Sequence, residues 1–174
     1  MPRRAHLPPA LPTGTHSTQV FGGPFPYHEV AALAKAAVAA GEIAVLILQP
    51  RRLQRMKAIL AKAKGILYVD TIQALAAMTR SGRLDDKLVG QTLGPLIADA
   101  AGQGNGRVAI FTDAAGTLVL KDRVAESRLL EELCHGVCAT GPVFLVCVYP
   151  IDAYSRLGEF AQAFRHEHGL GQRA

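Results

Sequence analysis

Short apolar runs alternate with longer amphipathic stretches along most of the chain. The runs cover residues 17–21, 43–49, 66–70, 107–113 and 143–149. Four of them are continuously apolar and rich in β-branched residues, the pattern of strands covered on both faces, as in a parallel sheet. The run at 17–21 is more polar and reads as an edge strand. Between the runs the period changes to that of helices. Residues 27–40 are strong helix formers ending at Gly41, a residue suited to the left-handed position after a helix. Residues 51–64 place Leu53, Met56, Leu60 and Ala63 on one face and Arg51, Arg55 and Lys62 on the other. A helix is expected at 71–79 behind Asp70, a plausible N-cap. Residues 85–101 read as a helix broken near Gly94-Pro95, because proline removes a ladder donor. Residues 122–138 carry Leu130, Leu133, Cys134 and Val137 at buried-stripe spacing, and a last helix is expected at 154–164.

Strand and helix in alternation predict an α/β fold: a three-layer αβα sandwich with a mostly parallel central sheet. Right-handed crossovers bring the strand C-termini to one edge, where ligands bind in such folds. The residues to inspect are therefore 22–28, 49–51, 70, 113 and 149–152. Residues 1–14, with four prolines, read as a flexible tail, residues 15–168 as one domain, and residues 169–174 as a second tail.

Composition narrows the class. With 49% apolar and 19% charged residues in 174, the chain can fill a core and is not disordered overall. The longest apolar run falls far short of the roughly 18 residues that span a bilayer, so no membrane segment is expected. Three cysteines do not make a disulfide scaffold, and no signal peptide is legible, so the expected location is the cytoplasm. At this length one αβα unit is expected to fill the chain, without an attached output domain.

Candidate chemistry is sparse. The segment 21–28, Phe-Gly-Gly-Pro-Phe-Pro-Tyr-His, stands where a phosphate-binding loop would stand, between a first strand and a first helix. It lacks the lysine and the Ser/Thr of that motif, and its two prolines remove amide donors. Asp113 takes the place of a carboxylate that would hold magnesium, but without the lysine a magnesium site is not expected; a cap or turn role is the alternative. Cys134, His135 and Cys138 suggest metal binding only superficially. His135 is rotated about 100° from Cys134 on a helix, so core packing is the expected role of the cysteines, and of Cys147. His166 and His168 are expected to be solvated. No Ser-His-Asp or Cys-His arrangement has supporting context, and no carboxylate pair points to acid–base work. A non-catalytic protein without cofactor or metal is the expectation. The net charge of +5 is concentrated: Arg51, Arg52, Arg55, Lys57, Lys62 and Lys64 form a stretch with no acid. It is suited either to a solvated face or to the phosphates of nucleic acid, with Arg51, Arg52, Arg55 and Lys62 as contacts.

The order of segments resembles the MEDS (methanogen/methylotroph DcmR-type sensory) domain family, itself a diverged RecA/KaiC-like fold without its phosphate-binding lysine. The similarity runs from about His16 to Glu167. It is carried by Ala40-Gly41-Glu42 before the second run, by Tyr68-Val69-Asp70-Thr71 with Leu75, Gly82 and Asp85, and by Arg107-Val108-Ala109-Ile110-Phe111. Leu130-Glu131-Glu132-Leu133 and Phe144-Leu145-Val146-Cys147-Val148-Tyr149-Pro150 complete it. Thr112-Asp113-Ala114 departs from the family's Gly-Glu-Met, and Val119 and Cys134 stand where tryptophans are typical, so a different signal is implied. The resemblance implies a degenerate RecA-like core and a sensory role in signal transduction. This would be a stand-alone version acting on a signalling protein such as a kinase or transcription regulator, with a homodimer as an open arrangement. Topology puts Tyr27, His28, Asp70 and Asp113 at the ligand edge. Tyr27 would stack and hydrogen-bond, His28 would donate or titrate, and the aspartates would accept.

Overall fold

The computed structural model describes residues 14–160. The expectations for the N-terminal tail before residue 14, for the end of the last helix, for His166 and His168, and for the C-terminal tail lie outside the described residues. Five parallel strands form the central sheet: β1 (His16–Phe21), β2 (Ile43–Leu48), β3 (Ile66–Asp70), β6 (Val108–Thr112) and β7 (Val143–Pro150), in the spatial order β1-β7-β6-β2-β3. The short strands β4 (Thr79–Arg80) and β5 (Arg83–Leu84) form a separate antiparallel hairpin. The helices are α1 (Tyr27–Ala39), α2 (Pro50–Ile59), α3 (Thr71–Ala77), α4 (Asp86–Gln103), α5 (Ala114–Leu120), α6 (Val124–Thr140) and α7 (Ile151–Ser155).

Chain order explains the layers. From β1 to β2 to β3 the chain moves across the sheet in one direction; from β3 to β6 to β7 it moves back. Right-handed crossovers then put the helices of the two halves on opposite faces. Val30, Ala31 and Ala34 of α1 and Leu53 and Met56 of α2 pack on Leu46, Phe111, Phe144 and Val146. Helices α3 to α7 pack on the alternate strand residues, including Val45, Ile110, Leu145 and Tyr149. The inner strands β2, β6 and β7 are buried almost throughout, as continuous apolar runs require. β1 stands at one edge, as its polar content predicts; β3 stands at the other and is half-buried throughout, against the expectation that its apolar run is covered on both faces, because the outermost position leaves it without a second neighbour.

Several expectations need correction. The helix over 85–101 does not break: α4 runs continuously through Pro95. Gly94 and Pro95 face solvent, so the carbonyl that loses its helical donor there meets water. Helix α2 ends at Ile59, so Lys62 lies in the turn beyond it. The helix expected from 154 is divided: α7 begins earlier, at Ile151, and ends at Ser155, and after a turn at residues 156–158 the chain is helical again at residues 159–160. Helix α5 carries no amphipathic signal, because Ala114 through Val119 are all buried. It lies so close to β7 that a Cβ on Gly116 would sit 3.3 Å from the Tyr149 ring. The hairpin was too short to show a period; its turn uses Ser81 and Gly82, both at positive φ, as tight hairpins require. Gly41 follows α1 at φ +84°, the conformation expected of it.

Candidate functional site

The crevice between β2 and β6 is the point where the chain reverses direction across the sheet. The helix after β2 goes to one face and the helix after β6 to the other, which opens a gap at the C-terminal edge. Gln49 follows β2 and Asp113 follows β6, so both stand in this gap. Asp113 is 1% exposed. It occupies the N-cap position of α5, but its side chain does not cap that helix. Instead Oδ2 accepts from the Gln49 backbone N–H at 3.1 Å and from Arg52 Nη1 at 2.7 Å. Oδ1 accepts from the Thr71 hydroxyl at 2.7 Å. Gln49 Nε2 in turn donates to Thr117 Oγ1 at 2.9 Å. One carboxylate thus joins the starts of α2, α3 and α5. A buried carboxylate needs this many donors, because an unpaired charge in a dry site is strongly unfavourable.

Arg52 extends the network toward the loop after β1. Its guanidinium lies 4.6 Å from the Phe25 ring centroid and 5.9 Å from that of Phe21. Phe25 is itself buried and stacks edge-on against Phe21 and Tyr27. The loop that would cradle a phosphate is therefore filled from below by an aromatic ring and an arginine. Pro24 and Pro26 offer it no amide donors.

Above this floor a cleft of about 430 Å³ opens at the end of β1. Tyr27, His28, Glu29 and Arg55 line it together with Phe21 and Phe25. The Arg55 guanidinium stands 4.9 Å from the Tyr27 ring centroid, a cation–π distance. Tyr27 and His28 open α1 and reach the cleft because Pro26 directs the chain straight into the helix.

The four residues expected at the ligand edge all lie at the C-terminal end of the sheet, but not in one site. Tyr27 and His28 line the cleft. Asp113 lies beneath it, bound to Arg52. Asp70 ends the far edge strand and caps α3, accepting from the Ile72 N–H at 2.7 Å and the Gln73 N–H at 3.4 Å. Of the basic residues, Arg51, Arg55 and Lys62 are exposed, whereas Arg52 turns inward to Asp113. Lys57 lies over the Tyr68 ring. Arg52 and Arg55 stand only about 60° apart around the helix, so Arg52 sits at the core rim facing Asp113 while Arg55 lies just beyond it on the surface. Glu42, in the stretch Ala40-Gly41-Glu42, sits at the opposite end of the sheet and pairs with Arg107 at 3.1 Å.

A second polar cluster was not anticipated. His16 at the start of β1 is fully buried, and Glu131 on α6 is 2% exposed. His16 Nε2 lies 3.0 Å from Glu131 Oε2 and 3.4 Å from Cys147 Sγ. The Tyr149 hydroxyl donates to Glu131 Oε1 at 2.5 Å and lies 3.4 Å from Ser127 Oγ. Register explains the meeting: His16 pairs with Leu145 in the neighbouring strand, and Leu145, Cys147 and Tyr149 share a face. Burial, and secondarily the charge of Glu131, push the Cys147 thiol and the Tyr149 phenol well above their usual values. Cys134 and Cys138 are buried on α6, as expected, and burial pushes the Cys138 thiol up to about 12. The buried stripe of α6 is Ser127, Leu130, Glu131, Cys134 and Cys138, rotated from the expected one, with Leu133 and Val137 at its margin. A glutamate at stripe spacing, three residues before a buried cysteine, was the available signal.

Among the described residues, no helix is long and apolar enough to cross a membrane. No family model and no curated protein matches the chain.

Proposed function

We propose that this chain is a non-catalytic sensory or regulatory domain of the MEDS type, which takes a small polar ligand in the cleft at the end of β1. The observation that carries this reading is the cleft itself, with Tyr27, His28 and Arg55 converging on about 430 Å³ at the ligand edge of an α/β sheet. Tyr27 offers a stacking face and a hydroxyl, Arg55 a positive charge already set against that face, and His28 a ring that can donate or accept a hydrogen bond. The Asp113 carboxylate is engaged by three donors, so its role is to tie the starts of α2, α3 and α5 together.

The route from cleft to partner is short. Phe25 forms the floor, Arg52 packs on Phe25, and Arg52 holds Asp113, which ties α2, α3 and α5 together. A ligand that fits better with Phe25 displaced would shift this set of helix starts, since a ligand moves an equilibrium only by its differential affinity for two states. A signalling protein such as a kinase or transcription regulator would read that surface. Native mass spectrometry of freshly purified protein tests the reading. A retained small molecule in the wild type, lost in Tyr27→Ala and Arg55→Ala, is expected. A ligand that survives both substitutions refutes the cleft as its site.

The exposed basic residues Arg51, Arg55, Lys57 and Lys62 favour a second reading, binding of nucleic acid along α2 and the turn after it. Fluorescence anisotropy with duplex DNA and with RNA would then show salt-dependent affinity that weakens in Arg51→Ala/Arg55→Ala. No binding at low salt removes it. Binding of ATP or GTP with magnesium would appear as a raised melting temperature.

A further inference from the structure

The geometry points to a buried transition-metal site formed by His16, Glu131 and Cys147, suited to zinc(II). Their ligating atoms all lie within 4.8 Å of one another, and all three residues are buried. Metal–ligand bonds of about 2.0–2.3 Å around a tetrahedral ion place neighbouring donors roughly 3.3–3.6 Å apart. The His16 Nε2 to Cys147 Sγ separation is 3.4 Å and the His16 Nε2 to Glu131 Oε2 separation is 3.0 Å, so small adjustments admit an ion among them. Imidazole, thiolate and carboxylate are each established zinc donors. The three come from three separate elements, β1, α6 and β7, so an ion here would pin an edge strand and a helix to the sheet.

Charge supports the assignment. The cluster holds a buried carboxylate that, among the described residues, has no lysine or arginine bonded to it. Zinc(II) against one thiolate, one carboxylate and a neutral imidazole is electrically neutral, which a low-dielectric site demands. On binding, the Cys147 thiol releases its proton to solvent and sulfur bonds to the ion. Any proton shared between His16 and Glu131 leaves as well; no electron is transferred. Tyr149 has the role of an outer partner: its hydroxyl holds Oε1 of Glu131 and leaves Oε2 directed at His16. Ser127 lies next to Tyr149 and also donates to the Ala115 carbonyl at 2.9 Å, fixing that end of the chain of contacts. The fourth position would fall to water or another small donor. Because the site is enclosed, the ion would enter as the chain folds. This inference uses none of the cleft residues and is independent of the reading of the cleft.

The test uses the full chain, purified without a polyhistidine tag or chelator and kept reduced. Elemental analysis is expected to find one zinc per chain. After stripping and reloading with cobalt(II), a thiolate-to-cobalt charge-transfer band and intense visible bands of a tetrahedral ion are expected. X-ray absorption on the wild-type protein is expected to find one sulfur and two or three nitrogen or oxygen neighbours. Cys147→Ser should abolish the charge-transfer band while Cys134→Ser keeps it. Tyr149→Phe should weaken metal affinity about tenfold or more. No bound zinc and no cobalt spectrum, or two or more sulfurs at the ion, would overturn the proposal. The first result would leave a hydrogen-bonded core cluster and the second would move the site to Cys134 and Cys138. Since the wild-type spectra decide between these, a variant that fails to fold does not obscure the answer.

Discussion

Asp113 and Glu131 are both carboxylates almost wholly removed from water, at 1% and 2% exposure, but their surroundings differ in kind. Asp113 lies at the rim of the sheet and is bonded by Arg52, a permanent cation whose side chain is 19% exposed. Glu131 lies under a helix and is bonded by a histidine and a tyrosine, neither of which carries a fixed charge. The first network is complete as it stands. The second relies on donors that carry no permanent charge. At the C-terminal edge of the sheet the fold uses its own arginine to close the crevice between β2 and β6, whereas in the helix layer it gathers softer donors around an acid.

Removing each carboxylate is the most severe way to break this comparison. Glu131→Ala should destabilise the protein by about 3–5 kcal/mol, because it leaves His16 and Tyr149 facing a dry cavity. Asp113→Ala should cost less, about 2–3 kcal/mol, since Arg52 can turn to water and only Thr71 and the Gln49 amide lose partners in place. Denaturant titrations of both variants check the ranking. Asp113→Ala costing more than Glu131→Ala would show that the Asp113 network, not the Glu131 cluster, is the principal polar tie of the core.

A gentler test exploits the thiols that only the Glu131 side contains. Burial holds the Cys138 proton to about pH 12, against an ordinary value of 9.0. Above pH 9 the unfolded chain has lost that proton while the folded chain keeps it. Stability from this group is therefore fully present below pH 9 and falls as pH rises toward 12, by about 1.4 kcal/mol per pH unit. Cys134 and Tyr149 shift the same way and steepen the slope. Unfolding free energies measured at intervals from pH 8 to about pH 11 should decline, with a shallower decline in Cys138→Ala. Equal slopes would mean that the Cys138 thiol is not held protonated by the fold.

Much of the architecture was legible because it rests on local periodicity. Continuous apolar runs at 43–49, 107–113 and 143–149 could only be strands covered on both faces, and they are the three inner strands. Asp70 before Thr71 announced a capped helix, and the cap forms. Helix α5 gives no period because Ala114 through Val119 are all buried, and α4 passes through Pro95 because proline's effect depends on which face it occupies. The edge residues after each strand were named from topology. That Arg52 faces inward while Arg55 faces the cleft follows from how α2 lies on the sheet.

The sequence by itself determined an αβα sandwich, an edge position for the first strand, a concentrated basic surface at residues 51–64, and the lack of a phosphate-binding lysine. These follow from chain-local quantities: period, composition and motif spacing. Only the tertiary structure decided that Asp113 is bound to Arg52 across 61 residues, and that His16 and Cys147 meet across 131. Such meetings depend on strand order and register. A chain-local pattern does not encode which strands become neighbours; the packing of apolar faces decides that, and the polar residues are carried along with it.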